Sequence, residues 1–253
     1  MARKLLILLL LSFWVTSVGA TDYSANANAV GVWLFTEGSG TTVDNAQGTA
    51  TYDGVFKAVG EPAWSSTVPT YGEGGSPSYS VDYDASNDYI LCGDLEPPAT
   101  AMSVVAWSYS VLDLTDAIVS KHGSAGGNYG WIYGKEGNKH HLDRSPDGSA
   151  WAGVQSDNTY TGNNWHHLAF TWANDGTVTF YDDGAQNGTT ESLSYSIHDS
   201  TTQFRIGSGP FTVDSGLLTE IAIFSDVLTS TEINEIMDYG LKPATAARRM
   251  WIF

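Results

Sequence analysis

Aromatic rings interspersed with amides and carboxylates are the residues of this chain whose types and spacing point most directly to chemistry. Trp131, Tyr133, Trp151 and Tyr160 lie in a middle section rich in Gly, Asn and Ser. Flat rings accept the apolar faces of sugars, while neighbouring amides and carboxylates bind the hydroxyls. Asn128, Asp143, Asn158 and Asn163 stand close to these rings in sequence and are the candidate polar partners. The competing role for each ring is to fill a core, as large aromatics commonly do. We expect most of the four to do so and one or two to line a groove. The candidate ligand-binding set is therefore Trp131, Tyr133, Trp151, Tyr160, Asn128 and Asp143.

Histidines occur as adjacent pairs, His140-His141 and His166-His167. On a strand, neighbours point to opposite faces, so neither pair can chelate one ion. The single cysteine, Cys92, leaves no zinc spacing and no intrachain disulfide. It sits in an apolar run where a small buried hydrophobe is the expected role. Glu232 and Glu235 are close in sequence but fall in a helix-capping context, which does not suit them to paired acid and base work.

The elements that must position these residues are mostly strands. Short runs rich in Val, Ile, Tyr, Phe and Trp alternate with Gly, Asn, Asp and Ser, the pattern of many antiparallel strands joined by turns. The expected strands are Val30–Phe35, Tyr79–Tyr83, Tyr89–Leu91, Ser103–Tyr109, Ala117–Ser120, Tyr129–Tyr133, His166–Trp172, Val178–Tyr181, Phe204–Ile206 and Leu217–Phe224. In His166–Trp172, the side chains of His167, Ala169 and Thr171 share one face, and those of His166, Leu168, Phe170 and Trp172 the other. Asp175-Gly176 and Asp183-Gly184 suit tight hairpins that need positive φ. Pro146 presets the turn Ser145–Gly148. One helix is expected, opened by Thr229 and Glu232 at capping-box spacing, with an apolar stripe of Ile233, Ile236 and Met237 and a stop at Gly240.

Composition bounds the setting. A basic start, a short apolar run and the small residues Val18 and Ala20 read as a secretory signal peptide over residues 1–20. Its apolar run is shorter than the roughly 20 residues a membrane-spanning helix needs, so no stable span is expected after cleavage. Cleavage would remove Arg3 and Lys4, taking the formal net charge from −17 to −19. So acidic a surface argues against nucleic acid or an anionic membrane as partner, and suits sites that gather cations. The end of the chain, 241–253, forms a separate basic and aromatic tail, and Asn187-Gly188-Thr189 is an acceptor sequon for glycosylation.

Four stretches in fixed order carry a family resemblance. They are Gly31-Val32-Trp33-Leu34-Phe35 with its Gly-rich loop to Asp44; Tyr83-Asp84 with Asn87-Asp88-Tyr89-Ile90; Asn164-Trp165-His166-His167-Leu168 with Asp182-Asp183-Gly184; and Ile206-Gly207 with Leu218–Phe224. The chain resembles the laminin-G-like, concanavalin-A-like jelly-roll domains. That implies an all-β, two-sheet antiparallel β-sandwich over residues 21–240 with one short C-terminal helix. It implies a secreted, non-catalytic, lectin-like module for a glycan or an extracellular protein. The alternative is a structural or adhesion protein of a cell-surface or virion assembly. A glycoside hydrolase is disfavoured, because the two glutamates flanking an aspartate that mark sandwich glycosidases are missing. The resemblance also implies calcium, held by Asp44, Asn45 and Asp53 with Thr219 and Glu220. Thr219 stands where the family carries an aspartate. The pair His166-His167 is expected to be structural, with one ring inside and one exposed.

Overall fold

The computed structural model describes residues 20–57, 62–83, 88–98, 100–110, 116–123, 127–207 and 216–242. Residues 1–19 of the expected signal peptide, the motif positions Asp84 and Asn87, and the tail beyond Lys242 lie outside the described residues.

The strands, in chain order, are β1 (Ala29–Trp33), β2 (Thr42–Val43), β3 (Gly54–Lys57), β4 (Ala63–Ser65), β5 (Ser80–Tyr83), β6 (Tyr89–Leu91), β7 (Met102–Ser110), β8 (Asp116–Lys121) and β9 (Trp131–Glu136). They continue with β10 (Lys139–Arg144), β11 (Ala152–Gln155), β12 (Trp165–Trp172), β13 (Thr177–Asp182), β14 (Ala185–Gln186), β15 (Glu191–Ser192), β16 (Arg205–Ile206) and β17 (Gly216–Phe224), followed by the helix α1 (Ser230–Tyr239). A nine-stranded sheet runs β14-β13-β12-β7-β17-β5-β4, with β1 on β17 and β15 on β13. An eight-stranded sheet runs β11-β10-β9-β8-β16-β6-β3-β2. Every pairing between described strands is antiparallel, as expected for a sandwich.

Side-chain alternation sorts the eight-stranded sheet into rows. One row crosses it through Val154, Leu142, Tyr133, Val119, Ile206, Ile90 and Phe56. Six of these belong to the main core between the sheets, which they share with Leu168, Phe170 and Trp172 of β12, and the half-buried Val154 packs against it. The neighbouring row must then face away from that core. It runs Gly153, Asp143, Ile132, Ser120, Arg205, Leu91 and Val55.

The outer face of the nine-stranded sheet has a different fate. A second apolar cluster joins Val32, Val105, Ala169, Ala222 and Phe224 to Tyr23, Leu228, Ile233, Ile236 and Leu241. The helix and the first described residues therefore cover that face. Its capping box is complete, with Thr229 and Glu232 bonding each other's backbone N–H, and Gly240 ends it at φ 82°. Leu241, which the sequence reading assigned to the tail, is fully buried in this cluster.

Several expectations need adjustment. Phe35 lies in the left-handed region (φ 57°), so β1 ends at Trp33. The polar segment Lys139–Arg144 was not expected to be a strand, and pairing with β9 makes it one. His166 is not exposed: Thr161, Asp182 and Asp183 enclose it, leaving 8% of its surface accessible. Asn187 of the sequon is buried, and its amide both donates to Asn158 O (3.1 Å) and accepts from Asn158 N (2.9 Å), so it is unavailable for glycosylation once folded. Asp183 and Gly184 both have positive φ, 48° and 76°, as their tight hairpin requires.

If α1 is part of the cooperative unit, Ile236→Ala should cost about 2–4 kcal/mol, the range for a buried Ile or Leu truncation. Denaturant unfolding followed by tryptophan fluorescence measures it. A loss within about 0.5 kcal/mol, typical of surface changes, would make the helix a loose appendage.

Candidate ligand-binding face

With one outer face buried under the helix, the outer row of the eight-stranded sheet, which carries Asp143 and Arg205 among apolar residues, is the candidate surface for a ligand. Trp151 stands two residues before Gly153, and His122 two residues after Ser120, so the strand period places both on this side. Their rings meet at 4.7 Å between centroids, with planes 6° apart. Tyr129 joins them at 5.1 Å from each. A three-deep column would separate its outer rings by roughly 7 Å, given contact spacing of about 3.5 Å. The three rings are therefore splayed. Trp151 is the most open of them at 37% exposure, while His122 is buried beneath at 6%.

Two loops hold this cluster. Gly148 O accepts N–H groups from Gly127 (2.8 Å) and Tyr129 (3.0 Å), tying one loop to the other. Asp147 Oδ1 accepts the N–H groups of Ser149 (2.8 Å) and Ala150 (3.2 Å), fixing the turn that delivers Trp151. Those bonds favour the carboxylate and hold Asp147 below its usual range. Burial pushes the His122 imidazole down to about 4, so the ring beneath Trp151 is neutral at physiological pH.

Further across the face, Arg205 lies 4.9 Å from the ring centre of Tyr89, a cation–π distance. Among the described residues it makes no ion pair. His141 Nε2 lies 3.2 Å from Asp143 Oδ1, and this contact raises the imidazole pKa against a larger burial effect. Gly153 leaves the space that Asp143 uses, because a β-carbon there would fall 1.7 Å from Asp143 Oδ1. Glu136 shares this face with Asp143. Four residues along paired strands separate their backbones by about 13 Å.

The sequence candidates divide accordingly. Trp131, Tyr133 and Tyr160 are core rings at 1%, 0% and 6% exposure, so they are not available to stack on a sugar. Inward strand parity puts the first two there. Trp151 and Asp143 reach the open face. Asn128 directs its Oδ1 to Thr201 N (2.8 Å) and Ser200 Oγ (3.1 Å), which makes it a loop brace. Asn158 braces Asn187, and Asn163 occupies a left-handed turn position (φ 60°). His122, Tyr129, Tyr89 and Arg205 were not singled out from sequence.

The calcium candidates are engaged separately. Asn45 Oδ1 accepts from Val32 N (3.1 Å) and Gln47 N (3.2 Å), and Asp53 Oδ1 accepts from Asn45 N (2.8 Å). Asp44 is exposed, and Thr219 donates its hydroxyl to Tyr79 O at 2.7 Å. Glu220 is buried against Tyr71, and burial raises its carboxyl to about 7. Two sets of three candidate ligand atoms do converge among the described residues: His166 with Asp182 and Asp183, and Asp94 with Glu96 and Asp199. Neither contains a predicted calcium ligand. A protonated His166 fills the first and the Lys121 ammonium the second, the latter at 2.8 Å from Asp94 and 2.5 Å from Asp199.

A family model described as the concanavalin A-like lectin/glucanases superfamily matches residues 84–234, more than half of the sequence. The chain belongs to this superfamily. Among solved structures, the receptor binding domain of the botulinum neurotoxin C/D mosaic serotype aligns with TM-score 0.60 at 14% identity, over 83% of this chain and 51% of that one. The serotype G binding domain gives TM-score 0.61 at 14% identity over 83% and 50%. The serotype D ligand binding domain, in complex with N-acetylneuraminic acid, gives 0.58 at 13% over 83% and 50%. This superfamily chain thus spans about half the length of those proteins, and at such identity the likeness is one of fold. No curated protein matches its sequence.

The buried histidines set a pH signature. His122, His140 and His167 are pushed down to about 4, 3 and 4 by burial, so the unfolded chain binds more protons and stability should fall as pH drops from about 6.5 towards 4. Although burial alone would lower it, the two aspartates raise His166 to about 10, so its contribution is complete below about 6.5 and is lost as pH rises towards 10. Glu220, raised to about 7, opposes the three neutral histidines between about 4.5 and 7, and they outnumber it. Unfolding free energy should therefore peak near neutral pH in denaturant titrations. Histidine ring NMR should show one imidazolium that does not titrate between pH 6 and 8. A steady rise of stability to pH 10 would contradict the His166 assignment.

Proposed function

We propose that this chain is a secreted, non-catalytic, carbohydrate-binding module that holds its glycan on the outer face of the eight-stranded sheet. The carrying observation is Trp151, a half-open indole laid on a neutral imidazole and a tyrosine at the end of a polar sheet face. A sugar ring stacks on the free side of such an indole, and desolvated tryptophan is the commonest energetic anchor of binding surfaces. Arg205 supplies hydrogen-bond donors to hydroxyl or carboxylate oxygens, and Asp143 supplies acceptors. In support, the serotype D ligand binding domain of similar fold was solved with an acidic sugar.

Trp151→Ala should weaken glycan binding at least tenfold on an array or by calorimetry. Its stability cost should stay near the 0.5–1.5 kcal/mol of an aromatic contact, because the ring is exposed. Gly153→Ala should cost about 1–3 kcal/mol, since the added carbon meets the Leu142 backbone oxygen at 2.9 Å as well as the Asp143 carboxylate, and should reduce affinity by displacing that carboxylate. Retained binding in Trp151→Ala would move the site elsewhere. Silence of the native chain on every glycan, with capture of a purified extracellular protein, would replace the glycan with a protein partner.

A further inference from the structure

Glu220 stands apart from the face described above. It sits on β17 at a break in register with β7, between Thr219 and Ala222, in the left-handed region at φ 46°. Such backbone is costly for a residue other than glycine and persists only where its surroundings enforce it, often at a functional site. The residue is buried, with 6% of its surface exposed. Tyr71 hydrogen-bonds this carboxyl, as does the backbone at Leu241. The other oxygen, Oε2, is buried without a hydrogen-bond partner.

Glu220 lines a cavity of about 300 Å³, together with Tyr71, Ser76, Ser78, Tyr239 and Lys242. That volume is at the small end of ligand sites. Among the described residues Glu220 forms no ion pair, and Lys242 at the cavity is exposed. A buried carboxylate with no cation carries a large desolvation cost, and a cationic donor in the cavity would relieve it. The chain's net charge of −17 concentrates cations around it.

We propose that this cavity binds a small organic ammonium ion, whose charge is offset by the Glu220 carboxylate in the cavity wall. The hydroxyls of Ser76, Ser78 and Tyr239 line the same space for polar atoms on the ligand. This site is separate from the glycan face and does not depend on that assignment.

Thermal unfolding of the full mature chain at pH 8 tests it, with ethanolammonium chloride as probe. The controls are sodium chloride at equal ionic strength, calcium chloride and ethylene glycol, the neutral analogue. Ethanolammonium alone should raise Tm, and amide NMR shifts should move at Tyr71, Ser76 and Tyr239. Glu220→Gln keeps the side chain's shape without the charge and should weaken binding at least tenfold. No shift in the native chain, an equal shift from ethylene glycol or sodium chloride, or a response to calcium alone would overturn the proposal. So would amide perturbations confined to other regions. These native-chain readouts stand even if Glu220→Gln does not fold.

Discussion

Alternation of side chains across a paired strand is the constraint on which this molecule depends. Once one row of the eight-stranded sheet is committed to the core, the next row has no choice of side. The core row is apolar from Val154 to Phe56, and its neighbour carries Asp143, Ser120 and Arg205. A slip of one residue in any of these strands would bury charges and expose the apolar set, so register is strongly fixed. The same rule makes Trp131 and Tyr133 structural, and leaves Trp151, beyond the start of β11, to the outside.

Two sheets have two outer faces, and the chain treats them unequally. The nine-stranded sheet carries apolar residues on its outer side, and these need a cover, which α1 and Tyr23 provide. The eight-stranded sheet carries polar residues there and has α1 on the far side of the sandwich. The two outer faces therefore differ: one is buried under the helix, and the other carries the surface proposed for recognition. The loops β8–β9 and β10–β11 refine the open side, because hydrogen bonds from Gly127 and Tyr129 to Gly148 O tie the loop of His122 and Tyr129 to that of Trp151.

Two buried cationic side chains of this chain have dedicated acidic partners. Lys121 is enclosed by three carboxylates, and His166 by two carboxylates and the Thr161 carbonyl at 2.8 Å. In both places a cation of the chain itself fills what would otherwise be an acidic cluster, and the position a metal ion would need is already taken. Glu220 differs from these two clusters, since among the described residues it forms no ion pair.

The sequence by itself determined the class of fold, the tight turns, the single capped helix and the opposed faces of each histidine pair. These are consequences of local chemistry: strand period, glycine at positive φ and the reach of a capping side chain. It could not determine which aromatic rings are open, because the side that is inside depends on where the second sheet lies. A strand at Lys139–Arg144 was hidden by its charges, although the alternation of His140 and Leu142 with His141 and Asp143 was the available signal. The joining of His122, Tyr129 and Trp151, and the dispersal of Asp44, Asp53 and Glu220 into separate contacts, were decided only by tertiary structure. Both depend on pairings between segments distant in the chain, which no local pattern encodes.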